Sequence, residues 1–233
     1  MTARDIVTVD GPDAATFLQG QLSQDVADLA VGDDRWSLVL QPQGKIDAWV
    51  RVRRSADETF VLDVDPGFGE RLAARLSRFL IRTSATISIS DGDVELAWPG
   101  PDGVRAMPDD EAARIRSGIP AMGAELLDST IPGEVGQWFV DASVSFTKGC
   151  FVGQELVARI DSRGNNVPRH LRMLTLEGDA PVGAEIVVDD EVVGTLSSST
   201  AGAALGFVKR SVGAPAVVTL RWDGGSVPAS IDR

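Results

Sequence analysis

At Pro168 the hydrophobic pattern of this chain changes, and the change divides the possible folds. Downstream, apolar residues come in short runs, at 171–176, 185–188, 192–196, 205–208 and 217–222, separated by Gly, Asp and Ser turns such as Val188-Asp189-Asp190-Glu191. Short, β-branched, evenly punctuated runs read as strands. The tail is therefore expected to close into a small antiparallel β-barrel or sandwich. Upstream, helices and strands alternate. Residues 6–9 read as a strand, and Gly11-Pro12-Asp13 opens a helix with proline near its first position and a carboxylate in its first turn. Ala14, Phe17, Leu18, Leu22, Val26 and Leu29 continue it at helical spacing. Residues 36–40 and the alternating stretch 46–52 flank the turn Gln41-Pro42-Gln43-Gly44 and predict a hairpin. A strand over 60–64, a helix carrying Leu72, Leu76, Phe79 and Leu80, and strands over 85–90 and 94–98 follow, so the first hundred residues read as α+β. From Gly100 to about Thr147, Pro, Gly and acids dominate around one short helical stretch over 109–116, which reads as a connecting segment packed on the first unit. The regions drawn from these patterns are 1–167 and a C-terminal β-barrel domain over 168–233.

A length of 233 residues permits one large domain or two unequal ones, and 43% hydrophobic with 24% charged residues excludes a disordered or fibrous chain. The net charge of −12 argues against direct nucleic-acid binding, because neutralising phosphates needs surplus cations. No apolar run approaches the length of a membrane span, and the polar start Met1-Thr2-Ala3-Arg4-Asp5 lacks the apolar stretch of an export signal. A cytoplasmic protein with no membrane association is expected. One cysteine excludes an internal disulfide, and one histidine, His170, leaves no Cys-His zinc set, so no metal ligands are assigned. Against this acidic background Arg159, Arg163, Arg169 and Arg172 fall within 14 residues, opposed only by Asp161. Such a cluster is either a local anion site or a solvated face.

The cysteine, Cys150, lies in Lys148-Gly149-Cys150-Phe151-Val152-Gly153-Gln154-Glu155. A thiol reacts as its thiolate, which a nearby ammonium and a helix N-terminus both favour. Lys148 and a short helix expected over 155–160 supply both, making Cys150 and Lys148 the candidate catalytic residues. Glu155 in the first turn suits the helix dipole but opposes a low thiolate pKa. The alternative is an inert thiol serving as a small buried hydrophobe. Gly149 and Gly153 would let the backbone approach a ligand closely.

Four segments together resemble the folate-binding YgfZ family, a branch of the glycine-cleavage T-protein (aminomethyltransferase) superfamily. They are Phe17-Leu18-Gln19-Gly20-Gln21-Leu22-Ser23-Gln24-Asp25-Val26, Pro42-Gln43-Gly44-Lys45-Ile46, Ile131-Pro132-Gly133-Glu134 and the cysteine octapeptide. The resemblance implies an α+β, folate-binding aminomethyltransferase-like (T-protein) fold with a small C-terminal antiparallel β-barrel. It also implies tetrahydrofolate or a related reduced folate as cofactor, and a role in assembling or repairing iron–sulfur clusters in client enzymes. Members of the family tend to be longer, which implies trimmed loops around the ligand cavity here. On the resemblance, Glu134 would pair with the guanidine-like edge of the pterin through two parallel hydrogen bonds. Arg159, Arg163 and Arg169 would hold the carboxylates of the glutamate tail. Trp49 or Trp36 would supply an apolar wall, and Gln154 would meet the ligand from the first helical turn. T-proteins place an acidic pair after a glycine-containing turn, whereas Gly44-Lys45-Ile46-Asp47-Ala48 keeps one acid and has alanine at the second position. Asp47 stands as a folate contact, and the transferase reaction is disabled if the missing acid is the one that manages protons.

One thiol does not ligate an iron–sulfur cluster, which takes four protein ligands, mostly cysteine. Cys150 is therefore expected to touch a cluster transiently, to form a mixed disulfide, or to react with a sulfur or oxidant species. The implied partners are folate and iron–sulfur client or assembly proteins. Two other readings compete with this accessory role: a folate-dependent aminomethyl or one-carbon transferase, and a folate-binding regulatory or storage module with an inert cysteine.

Overall fold

In the computed structural model, the described residues are 2–95, 97–106 and 110–232. Leu96, within the strand expected over 94–98, and Asp109, the expected start of the short helix, lie outside them. The chain runs β1 (Thr2–Asp10), α1 (Ala14–Gln21), β2 (Asp34–Leu40), β3 (Ile46–Ala56), β4 (Thr59–Val64), α2 (Gly69–Ser77), β5 (Thr86–Val94), β6 (Ala97–Gly100) and β7 (Gly103–Ala106). Then come α3 (Glu111–Arg116), α4 (Pro132–Val135), α5 (Gln137–Ser143) and α6 (Gln154–Asp161), followed only by strands: β8 (Arg169–Leu176), β9 (Glu185–Val188), β10 (Glu191–Thr200), β11 (Ala203–Lys209), β12 (Ala216–Trp222) and β13 (Gly225–Ile231).

The first five strands form one antiparallel sheet in the order β2-β3-β4-β1-β5. Successive strand residues face opposite sides, so the joint burial of Ala48, Trp49, Val50, Arg51 and Val52 means that both faces of β3 are covered. On one side Trp36 and Trp49 stack with Trp98 of β6 and Phe139 of α5, with ring centroids 4.4 to 5.0 Å apart. The buried charge of Asp63 is shared between Arg4 Nε at 3.2 Å and Arg51 Nε at 2.9 Å. Carboxylate and guanidinium groups satisfied in this way can stay out of water.

Three elements differ from the sequence reading. The helix expected to continue to Leu29 stops at Gln21, because Leu22 turns extended, bridges to Val39, and hands the next residue to the sheet through Ser23 N–H and Leu38 O at 3.0 Å. Val26 and Leu29 are buried all the same, on irregular chain. The strand expected over 85–90 extends through Val94, since β5 pairs with β1 from Thr86 to Val94. Its edge position leaves it largely exposed, so it carries no apolar signal. The segment read as a connector contains β7, which pairs back onto β6, two further helices and the short helix α3.

The tail is a closed six-stranded barrel, β10-β11-β8-β13-β12-β9, around its own core of Leu174, Ile186, Leu196, Val208, Leu220, Ile231 and their neighbours. One buried acid joins it to the rest. Glu125 is wholly buried and accepts from Arg114 Nη1 (3.0 Å), Ala121 N–H (3.1 Å) and the hydroxyls of Ser197 (2.7 Å) and Ser198 (2.6 Å) on β10.

Candidate functional site

Two glycine turns meet beneath the cysteine motif. Gly44 ends the β2-β3 turn with φ +75°, and Gly153 precedes α6 with φ +83°, a region that L side chains rarely adopt. A β-carbon on Gly153 would lie 2.5 Å from the Gln41 carbonyl oxygen and 2.8 Å from Leu40 Cβ, and one on Gly44 would lie 2.7 Å from Leu156 Cβ. Gly153 thus allows close approach of one turn to another, where a ligand was expected. Gly149 has open space around it.

Lys148 reaches away along the loop. Its ammonium donates to the carbonyl oxygens of Gln19 (2.7 Å), Leu22 (2.7 Å) and Gln24 (2.9 Å), at the end of α1 and just past it. An ammonium has three donors, and all three are occupied by backbone acceptors, contrary to the expected partnership with the Cys150 thiol. Burial pushes the Lys148 pKa down to about 8, with the charge of Asp25 opposing. Two backbone bonds parallel this tether: Ser145 N–H to Ser23 O at 3.0 Å and Val152 N–H to Gly20 O at 3.2 Å. Gln154 closes the loop from inside, its Oε1 accepting from Phe151 N–H at 3.2 Å. Cys150 is exposed, so it is not a core hydrophobe. A cleft of about 350 Å³ lies alongside, lined by Ser145, Phe146, Lys148, Phe151, Gln154, Glu155 and Ala158.

The residues assigned to folate fall in several places. Glu134 of α4 is 4% exposed and bidentate with Arg169, at 3.0 Å to Nε and 3.2 Å to Nη2. Two residues expected to hold opposite ends of the ligand therefore hold each other, with the Arg169 guanidinium stacked 4.3 Å from the Phe207 ring centroid. Asp47 accepts from Arg75 Nε at 3.1 Å and Arg71 at 3.4 Å, and Arg75 is further fixed by Gln21 Oε1 and Leu40 O. Trp49 is 1% exposed with its indole N–H on Ser143 Oγ at 3.0 Å, which makes it core and not a ligand wall. Trp36 is likewise buried, its N–H on Ala97 O. Arg159 in the last turn of α6 and Arg163 just beyond it are both exposed.

A cavity of about 190 Å³ between α4–α5 and the barrel is lined by residues that the sequence reading did not assign to a site, among them Val135, Trp138, His170, Arg172 and Met173. The Nε of Arg172 is buried there with no hydrogen-bond partner, a costly state for a charged group's donor. Burial also lowers the Arg172 pKa, and burial together with the charges of Arg172 and Arg210 holds His170 below its ordinary value. The sequence showed Arg172 only as a member of the basic cluster, because a cation between Leu171 and Met173 is also the ordinary alternation of a half-exposed strand. Among the described residues no group of three or more His, Cys, Asp or Glu is placed to hold a metal ion, and no helix is long and apolar enough to cross a membrane.

No family model matches the chain. A Haemophilus influenzae protein described only as uncharacterized is 27% identical, over 85% of this chain and 82% of its own length. The tRNA-modifying protein YgfZ of Edwardsiella ictaluri is 28% identical over 69% of this chain, and a mitochondrial iron-sulfur cluster assembly factor IBA57 homolog of Pyricularia oryzae is 25% identical over 70%. The matches span 65% and 54% of those two proteins. Among solved structures, the glycine cleavage system aminomethyltransferase T of Bartonella henselae superposes with a TM-score of 0.81 at 17% identity, covering 99% of this chain and 83% of that one.

Proposed function

We propose that this chain, a YgfZ-type member of the T-protein (aminomethyltransferase) superfamily, is a folate-binding accessory protein for the assembly or repair of iron–sulfur clusters, acting through Cys150. The observation that carries this reading is an exposed thiol on a loop fastened at both ends, by the Lys148 tether and by the Gly44–Gly153 contact. A fixed, accessible thiolate suits transient ligation of a cluster held by a client protein, and a single cysteine leaves the remaining ligands to that client.

The cavity beside Arg172 supports the folate half. Arg172 and the Trp138 ring line it, and a turn of the buried, unpaired Arg172 Nε toward the cavity would offer a donor to an aromatic ligand carrying a hydrogen-bond acceptor. Arg172 would hold the ligand there, with the Glu134–Arg169 pair at the start of β8 stiffening the wall. A reduced folate supplies, when bound, a carrier for one-carbon units; the residues of this chain bind and orient it. A transferase reading has less support, because the Asp47 carboxylate is engaged by Arg75 and Arg71 and alanine occupies the next position.

The test is complementation of a strain with a defective iron–sulfur enzyme. Cys150→Ala is expected to lose rescue while melting normally and binding tetrahydrofolate as the parent does. Full rescue by Cys150→Ala would overturn the assigned role. In calorimetry, Arg172→Ala is expected to weaken tetrahydrofolate binding about tenfold or more, the loss of one charge-assisted hydrogen bond. Unchanged affinity would move the ligand elsewhere.

A further inference from the structure

The octapeptide begins with a lysine, and its obvious role is charge stabilisation of the neighbouring thiolate, yet its three donors all go to backbone carbonyl oxygens and none to the thiol. We infer that Lys148 is a positioning residue that pins the loop bearing Cys150 to the end of α1 by seating its ammonium among the Gln19, Leu22 and Gln24 carbonyl oxygens. This rests on the proposed role of Cys150 and names the part that holds the thiol in place.

The chemistry of the seat supports it. The carbonyls near a helix C-terminus lack intrahelical partners and carry the negative end of its dipole. A compact ammonium with three donors satisfies three converging oxygens at once. The contacts of 2.7, 2.7 and 2.9 Å are those of charge-assisted hydrogen bonds. The Phe151 ring, 5.4 Å from Nζ, covers the seat from the loop side. The geometry also explains why the Phe17–Val26 segment and the octapeptide occur in one chain: the first supplies the acceptors and the second the donor. Each turn alone would leave buried or half-buried polar atoms without partners.

A guanidinium cannot replace this group. It is planar, longer, and presents its donors in a fork suited to carboxylates. The two roles for Lys148 therefore diverge under substitution. A thiolate-stabilising charge survives Lys148→Arg and is lost in Lys148→Met; a seat filled by shape is lost in both.

The experiment combines three measurements on the full chain and on Cys150→Ala, Lys148→Arg and Lys148→Met. They are the pH profile of Cys150 alkylation by iodoacetamide, hydrogen exchange of the 145–153 amides, and rescue of the iron–sulfur enzyme defect. Positioning predicts that both lysine variants exchange these amides about tenfold faster or more. It also predicts that both lose rescue while the apparent pKa of alkylation stays at the parent value. A rise of that pKa in Lys148→Met with parental behaviour of Lys148→Arg would overturn the inference in favour of direct charge stabilisation. Parental exchange and rescue in both variants would overturn it outright. If Lys148→Met does not fold, Lys148→Arg, which keeps the charge, decides alone through its exchange and its alkylation profile. Rescue by Cys150→Ala would instead count against the function proposed for the thiol, leaving the exchange result to judge the tether separately.

Discussion

Adding one methyl group at Gly153 should cost more than any other single-carbon change in the motif, and its size follows from the backbone. The residue sits at φ +83°, where an L side chain is strained by roughly 1–2 kcal/mol. The new β-carbon would be 2.5 Å from the Gln41 carbonyl oxygen, a backbone atom held in a tight turn by Gln41 N–H to Lys45 O at 2.8 Å and Gly44 N–H to Gln41 O at 2.8 Å. Relieving such an overlap moves backbone and costs about 1–3 kcal/mol more. Together Gly153→Ala should destabilise the protein by roughly 2–5 kcal/mol, or about 4–20 °C in Tm for a chain of this size. Gly149→Ala, four residues away with nothing within 4 Å of its β-carbon, is the control and should change stability by less than about 0.5 kcal/mol. Thermal melts followed by tryptophan fluorescence suit the test, since Trp36, Trp49 and Trp98 report on the core next to the turn. Equal melting temperatures for the two variants would refute the claim that the Gly44 and Gly153 turns bear on each other.

Glu134→Ala should lower stability by about 1–2 kcal/mol in urea denaturation: Arg169 loses its buried partner, but its own side chain is 37% exposed and can rehydrate. A larger loss would mean that α4 depends on the pair. The folded pKa of Lys148, about 8, lies below the ordinary lysine value of 10.5, so between those values the unfolded chain holds more protons. Its contribution to stability should accordingly rise with pH from about 8 to 10.5, with Asp25 the charged neighbour opposing the shift. Urea midpoints of the parent and Lys148→Met, compared at pH 7.5 and 9.5, should diverge in favour of the parent as pH increases. Convergence would mean that the three carbonyl oxygens outweigh burial and hold the folded pKa above the unfolded one.

Architecture was largely legible because it rests on periodicity. The barrel follows from short runs after Pro168, and the hairpin from alternation around Gln41–Gly44. What failed did so for tertiary reasons. Leu22 has helical spacing but is captured by a bridge to Val39, and β5 runs four residues past the expected end at Ser90 because pairing with β1, not an apolar pattern, carries it to Val94. Site residues were harder. Sequence proximity placed Lys148 beside Cys150, while the seat for its ammonium lies more than a hundred positions upstream. Glu134 and Arg169 were each expected as folate contacts, one for the pterin edge and one for the tail carboxylates, and the fold brought them to one another. Arg172 was visible only as one member of a basic cluster; its solitary buried Nε depends on which wall of a cavity the barrel presents.

Glu125 has a bearing on how this protein can be engineered. Its oxygens collect donors from α3, from the 121–125 turn and from two serines of the barrel, so the carboxylate belongs to neither core. Cutting the chain near Pro168 to obtain a minimal version would bare this acid and its arginine on a surface that evolved to be dry. A trimmed version would need a hydrophilic replacement for that whole seam, whereas grafting a foreign barrel would require that the donor supply two hydroxyls at the positions of Ser197 and Ser198 and a cation at the position of Arg169 for Glu134.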